Sequence, residues 1–423
     1  MRAGHRGAPL LRGRPRRPAR GGRRDHPPDG GRGRGHPGDR GPRGLSPAPD
    51  RVDAGSRRGR GGAGHAGPVP PLPPLTDLLD AAHVVTLPLR RRFRGITERE
   101  ALLLRGPAGW GEFAPFLEYG PVESARWLDA GIEAAWRGFP PPRRERVEVN
   151  ATVPAVDAAD VPAVLARFPG CRTAKVKVAE AGAGFAVRLA QDVARVAAVR
   201  EALGPRGAVR VDANAGWSVE QAFEALTVLG AFGLEYAEQP CATLEEMALL
   251  RRRLAAAGTP VPLAADESVR KAEDPLRVAG LEAADVVVVK VAPLSGVARA
   301  LEVARSCGLP VVVSSALDTS VGLAAGTALA AALPDLPHAC GLGTAALLAA
   351  DVSAEPLLPV GGSLPVGPAR ADPELLERHR APADRERWWR ERLAAAHAVL
   401  ARDAAAGPPA GPPFKDGRRT ADS

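Results

Sequence analysis

The sequence is poor in lysine, cysteine and aromatic residues, and each shortage excludes something. Of its 57 basic residues only five are lysine (Lys175, Lys177, Lys271, Lys290 and Lys415), the other 52 being arginine. Its four cysteines (Cys171, Cys241, Cys307 and Cys340) stand far apart with no pair at metal-ligand spacing. That excludes a zinc-ribbon or a disulfide framework and leaves four reduced thiols as the expectation. Aromatic residues are 4% of the chain and none falls in the first 70 residues, so that basic segment lacks the stacking surfaces single-stranded nucleic acid uses. No apolar run reaches the roughly 18 residues that cross a bilayer, and no signal-peptide core is present, so a cytoplasmic protein without a membrane partner is expected.

What is there divides by charge. The formal net charge of +9 is misleading, because residues 1–70 carry 17 arginines against five aspartates and leave residues 71–423 at −3. The segment containing "RGRPRRPARGGRRD" has too little apolar surface to offset the entropy of ordering, and residues 1–70 read as a disordered Arg/Gly/Pro-rich extension. An RNA-binding protein acting through this arm is the reading from a different functional class. The acidic body argues against nucleic acid as the main partner. Residues 403–423, with "DAAAGPPAGPPFKDG", read as a disordered tail. A chain of 423 residues, 45% of them apolar, suits two or three domains with a large core.

From position 147 short β-branched runs alternate with helical segments, as in a parallel sheet built from βα units. The runs are "VEVNATV", "TAKVKVA", "AVRVDAN", "LEYAEQP", "VPLAADES", "DVVVVKVA", "LPVVVSSA" and "HACGLGT". One landmark near each strand end gives Asn150, Lys177, Asp212, Glu238, Asp266, Lys290, Ser315 and Gly341, spaced 27, 35, 26, 28, 24, 25 and 26 residues apart. Ser218 with Gln221 and Thr243 with Glu246 form capping boxes, and Asp274 and Ser295 read as N-caps. The weak segment "DAADVPAVLARF" has to serve as the first helix, and "AEAGAGFAV" reads as an insertion that lengthens the second unit.

Eight units predict an α/β fold, a TIM-type (β/α) barrel over residues 147–351. Residues 75–146 and 352–402 flank it and together predict an α+β capping domain. In the first flank, "RRFRGITERE" and "GWGEFAPFLEYG" fit either a loop closing over a ligand or ordinary strand connections.

In such a barrel the carboxyl ends of the strands meet at one mouth. Asp212, Glu238 and Asp266 would stand there on three consecutive strands. Three carboxylates in one crevice need a cation, and an all-oxygen set favours magnesium or manganese over zinc. Lys177 and Lys290 lie on the strands either side of this triad, and Lys175 shares the inward parity of Lys177. A lysine can lose its proton where an arginine effectively cannot, so its retention here in an arginine-rich chain points to a base. A metal-held carboxylate substrate with a lysine on each side suits removal of the proton alpha to that carboxylate.

The set "KVK", "DAN", "EQP", "DES" and a later strand-end lysine resembles the enolase superfamily in its muconate-lactonizing subgroup. "FRGITERE", "GWGEFAPFLEY", "RVDANAGW", "SSALDTSVGL" and "GLGTAALLAADV" resemble o-succinylbenzoate synthases of the actinobacterial type. The resemblance covers about residues 75–400. It implies magnesium on Asp212, Glu238 and Asp266, and proton transfer by Lys177 with Lys175 as the neighbour that helps keep it neutral. It implies Lys290 as the cation that stabilises the enolate from the opposite side. Arg210, Asn214, Ser314, Ser315 and Gly341 are expected near the substrate, a small-molecule carboxylate, and Glu267 behind Lys290 rather than on the metal. The reaction implied is a dehydration in menaquinone synthesis. An N-acylamino acid racemase or dipeptide epimerase would use the same metal and both lysines as opposed bases. "HACGLGTAA" lacks the aspartate pair an epimerase typically carries for the substrate's amino group.

Overall fold

The computed structural model describes residues 71–93, 95–270 and 277–406. The expected extension (1–70), most of the expected tail and the predicted N-cap Asp274 lie outside the described residues.

The first flank folds as α1 (Leu75–Asp80), β1 (Ala82–Phe93), β2 (Ile96–Gly106), β3 (Gly109–Phe113) and α2 (Pro121–Ile132), which continues into a π-helical turn, Glu133–Arg137. The three strands form an antiparallel sheet in the order β1-β2-β3. "RRFRGITERE" is therefore a hairpin between β1 and β2, whose strand ends Phe93 and Ile96 pair.

The barrel elements follow: β4 (Arg146–Glu148), β5 (Ala151–Val153), α3 (Val161–Leu165), β6 (Thr173–Lys177), α4 (Phe185–Leu203), β7 (Ala208–Asp212), α5 (Val219–Leu229), β8 (Leu234–Glu238) and α6 (Leu244–Ala256). Next are β9 (Leu263–Ala265), α7 (Glu267–Arg270), α8 (Arg277–Gly280), β10 (Val286–Val289), α9 (Val297–Cys307), β11 (Val311–Val313) and α10 (Ser320–Ala332). The chain ends with β12 (Ser363–Pro365), α11 (Pro373–Arg378) and α12 (Ala383–Ala406). Residues 403–406 thus belong to a helix rather than to the expected tail, as their alanines favour. The capping boxes at Ser218 and Thr243 form as expected. Ser295 does not cap a helix: it adopts a left-handed conformation after a 3₁₀ turn, and Gly296 is the residue before α9.

Seven strands form one parallel sheet in the order β5-β6-β7-β8-β9-β10-β11. The eighth predicted strand is reduced to Cys340 and Gly341, which bridge Val149 beside β5 and Ser314 beyond β11 and so close the barrel. "VEVNATV" divides in two, because β4 turns out of the barrel to pair antiparallel with β12 while β5 stays in it. The long second unit is explained by α4, whose 19 residues absorb the end of "AEAGAGFAV".

Strand parity sets the rest. In β6 to β11 one set of alternate residues (Val176, Val211, Ala237, Ala265, Val289 and Val313) packs into the large core under the helices. The other set fills the barrel interior with a layer of Tyr236, Ala264, Val286, Val288 and Val312. Because side chains repeat every two residues, the last inner-layer residue of β8, β9, β10 and β11 is followed two positions on by a polar one: Glu238, Asp266, Lys290 and Ser314. The apolar layer is the floor on which the polar mouth stands.

A second core joins β1–β3, α1, α2 and α12 around Trp127, Leu128, Phe113, Trp389 and Leu393. Trp389 is fully buried, stands edge-on to Phe113 at 5.8 Å and donates Nε1–H to Glu100 Oε2 at 2.9 Å. Trp389→Ala should cost about 3–5 kcal/mol, the usual range for a large aromatic truncated in a core. Denaturant unfolding reads this, and a loss under about 1 kcal/mol would place the cap's stability elsewhere.

Candidate active site

Thr152, Lys175, Lys177, Asp212, Asn214, Asp266, Lys290, Ser314, Ser315 and Gly341 line one pocket at the carboxyl ends of the strands. Phe93 of the cap hairpin completes its rim, with Ala316, Leu317 and Thr344. β6 and β10 are four strands apart in an eight-station ring, so Lys177 and Lys290 face each other across it.

The lysines and carboxylates are interlocked. Lys177 Nζ donates to Asp212 Oδ2 and to Asn214 Oδ1, both at 2.6 Å. Lys175 Nζ donates to Glu238 Oε1 at 2.6 Å and lies 3.1 Å from the same Asp212 Oδ2. Lys290 donates to Asp266 Oδ2. The three lysines and the three carboxylates are buried. Burial alone would push Asp212 up, but Lys177 and Lys175 outweigh it and hold its carboxyl well below the ordinary range. Burial, and next the repulsion from Asp212, push Glu238 up to about 7 against the pull of Lys175. Burial disfavours charge on Lys175 too, yet Glu238 and Asp212 hold its proton more firmly than in a free lysine. Lys175 is thus ion-paired to both Glu238 and Asp212.

The loops above carry unusual backbone. Ala179, Asn214, Ala215, Gln239 and Leu317 all have positive φ, and each lies just past the end of β6, β7, β8 or β11. Strained backbone of this kind persists where the surroundings over-determine it, typically around functional sites. Gln239 shows how: Oε1 accepts the backbone N–H of Asp266 (3.0 Å) and Ser268 (3.2 Å), while Nε2 donates to the Cys241 carbonyl (2.9 Å) and to Ser268 Oγ (2.7 Å). It staples the end of β8 to the end of β9, fixing Glu238 relative to Asp266. On the other side Arg195 of α4 donates to the Lys177 carbonyl at 2.9 Å and pairs with Asp192, which accepts from the Ala179 N–H.

Two expectations change. Arg210 does not line the pocket; it is fully buried below Asp212, with its guanidinium bound to Glu235 (2.5 Å), Asn150 (3.1 Å) and the Ala339 carbonyl (2.7 Å). All three partners lie at the amino ends of their strands, so the fork points away from the mouth. Asn150 likewise precedes β5, and Thr152 is the residue that reaches the pocket from that strand. Glu267 accepts from Asn214 Nδ2 at 3.3 Å. Ser315 Oγ donates to the Gly341 carbonyl at 3.0 Å and meets Thr344 Oγ1 at 2.7 Å. Phe93, Thr152, Gln239, Leu317 and Thr344 were not singled out from sequence. All five sat inside quoted motifs, but none carries a charge that would signal it.

Among the described residues no three His, Cys, Asp or Glu side chains are gathered on one point as metal ligands, each carboxylate of the triad being turned to a lysine. The donor set nevertheless fits a hard divalent cation. Glu238 Oε2 is buried with no hydrogen-bond partner, and a carboxylate oxygen left so in a crowd of carboxylates is costly unless a cation meets it.

Comparison with known proteins gives the same placement. Residues 159–370 match the family model "Enolase C-terminal domain-like" and residues 84–135 match "Enolase N-terminal domain-like". The chain is 59% identical over 323 residues to the o-succinylbenzoate synthase of Mycolicibacterium smegmatis, covering 76% of this chain and 97% of that protein. It is 59% identical over 314 residues to the o-succinylbenzoate synthase of Thermobifida fusca, covering 74% and 95%. The fold resembles muconate lactonizing enzyme from Pseudomonas putida (TM-score 0.58, 24% identity, 71% of this chain and 98% of that one). It also resembles N-succinyl Arg/Lys racemase from Bacillus cereus (TM-score 0.59, 20% identity, 71% and 97%). With both enolase-type segments in place and nearly the full length of those relatives matched, this chain belongs to the o-succinylbenzoate synthase family of the enolase superfamily.

Proposed function

We propose that the protein is a hydro-lyase catalysing syn dehydration of 2-succinyl-6-hydroxy-2,4-cyclohexadiene-1-carboxylate to o-succinylbenzoate, a step toward menaquinone. The observation that carries this reading is a pair of lysines facing each other across a carboxylate-rich mouth, in a chain so similar to synthases of that name. Asp212, Glu238 and Asp266 would hold magnesium, which when bound supplies Lewis-acid stabilisation to the substrate carboxylate as charge develops there.

Lys177 removes the proton from the ring carbon bearing the carboxylate. In a syn elimination the departing hydroxyl is on the same face, so the ammonium just formed on Lys177 is placed to return that proton to it. Water leaves and the ring becomes aromatic. Lys290, on the opposite face, stabilises the developing negative charge as a cation. Asn214, through its contact with Lys177, orients the base, and Ser314, Ser315 and Gly341 offer polar contacts to the succinyl end. Lys175 stays charged and sets the field beside the base.

Turnover of the cyclohexadiene substrate beside N-succinyl amino acids tests the reaction. Racemisation faster than dehydration would overturn it. The lysine roles separate further. If Lys290 acts only as a cation, Lys290→Arg should keep clearly more dehydration activity than Lys290→Ala, limited by the fit of the larger head group. Racemisation needs proton exchange at both lysines, so arginine at either position should abolish it. Equal loss of dehydration in the two Lys290 variants would count against a purely electrostatic role.

A further inference from the structure

Two barrel helices that begin beside the pocket are capped by side chains from the other core. α9 has no side-chain cap of its own. Its first N–H groups, from Val297 and Ala298, donate to the carboxylate of Glu133 in the π-helical turn after α2, the Ala298 bond at 3.0 Å. At α10, Glu112 Oε2 of β3 accepts from the Thr319 N–H (3.1 Å), the Thr319 hydroxyl (2.5 Å) and the Gly322 N–H (3.2 Å). Room for both carboxylates is built in. A Cβ on Gly296, whose φ is +113°, would stand 2.4 Å from Glu133 Oε2, and one on Gly322 would stand 2.8 Å from Glu112 Oε2.

Both glutamates are buried, and burial raises the proton affinity of each, Glu112 to about 8 with help from Asp318. Burying an acid is unfavourable, and the unpaired N–H groups and positive dipole end of a helix N-terminus are what offset it. A Ser or Asp from the adjoining loop usually does this work. At α9 the donors are met from 164 positions away in the chain, and at α10 Glu112, 207 positions away, adds to a local cap in which Thr319 Oγ1 accepts the Val321 N–H.

The segments so held are those that carry the site. The loop into α9 starts at Lys290 and is drawn tight by the Gly296 N–H bonding to the Val291 carbonyl at 3.1 Å. The loop into α10 runs from Ser314 to Leu317 along the pocket wall, and the Leu317 carbonyl accepts from Arg99 Nε of β2 at 3.1 Å. We propose that Glu133 and Glu112 are positioning residues: they clamp the cap onto the ends of β10 and β11, holding Lys290 and the Ser314–Leu317 wall in place relative to Lys177. The catalytic half of this proposal rests on the role given to Lys290 above.

Amide hydrogen exchange and steady-state kinetics on the full chain test it. In Glu133→Ala the Val297 and Ala298 amides should exchange faster while β6 and β7 stay as protected as before. kcat should fall about 10- to 100-fold, the scale of a small misplacement of a catalytic group, with KM and magnesium affinity little changed. Glu133→Gln keeps an acceptor oxygen and should recover most of kcat. Should Glu133→Ala not fold, Glu133→Asp, whose carboxylate is withdrawn by one methylene, should show the same split between kcat and KM. Normal kcat in folded Glu133→Ala or Glu133→Asp, or loss of protection spread evenly over the chain, overturns the clamp. The exchange experiment needs no substrate, so failure of the proposed reaction and failure of the clamp give different results.

Discussion

Lys177→Arg is expected to fold, to bind magnesium and still to lose at least roughly 10²-fold in kcat, the lower end of what a positioned general base contributes. The substitution keeps the charge that Asp212 Oδ2 accepts at 2.6 Å and removes the basicity, because a guanidinium does not give up its proton near neutral pH. Its larger fork also has to share that oxygen with Lys175, 3.1 Å away, so the local ion pairs test the fit. Circular dichroism and magnesium titration separate misfolding from loss of the base. Dehydration at near the wild-type rate in Lys177→Arg would remove Lys177 from the role of base.

The second large effect is expected at the triad. Asp212→Asn, Glu238→Gln and Asp266→Asn should each abolish activity. Each should weaken magnesium binding by more than the roughly 10- to 100-fold typical of a residue that merely supports a ligand. Glu267→Gln should leave magnesium binding largely intact, because its carboxylate accepts from Asn214 rather than standing in the triad. Calorimetry decides between them. Normal magnesium affinity in an inactive Asp212→Asn protein would sink the ligand assignment and leave Asp212 as the partner of two lysines. Glu238→Gln alters Oε2, which has no hydrogen-bond partner within the protein, but it also removes the charge that pairs with Lys175.

Much of this site was legible before any coordinates because strand parity is a local property. The pattern "TAKVKVA" puts Lys175 and Lys177 on one face whatever surrounds it, and the same holds for Asp212, Glu238 and Asp266 at the ends of their runs. Regular spacing of the units then implied a barrel, and a barrel brings strand ends together. Where the landmark was taken before the strand rather than near its carboxyl end, the reading slipped by one inward position, as at Asn150 for Thr152.

The sequence by itself determined the order of βα units, the inward set of charged residues and the two local capping boxes, since each depends on contacts within a few residues. Only the tertiary structure decided which way Arg210 turns. Its inward parity was readable, but the pull of Glu235, Asn150 and the Ala339 carbonyl comes from three other strands. The same holds for the shrinking of the eighth predicted strand to the bridges made by Cys340 and Gly341. It holds also for Ser295, a good cap by composition, whose place at the start of α9 is taken by Glu133 from 164 residues away. A hydrogen-bond donor at a helix end is satisfied by whichever acceptor the fold brings nearest, and sequence proximity ranks only the local ones.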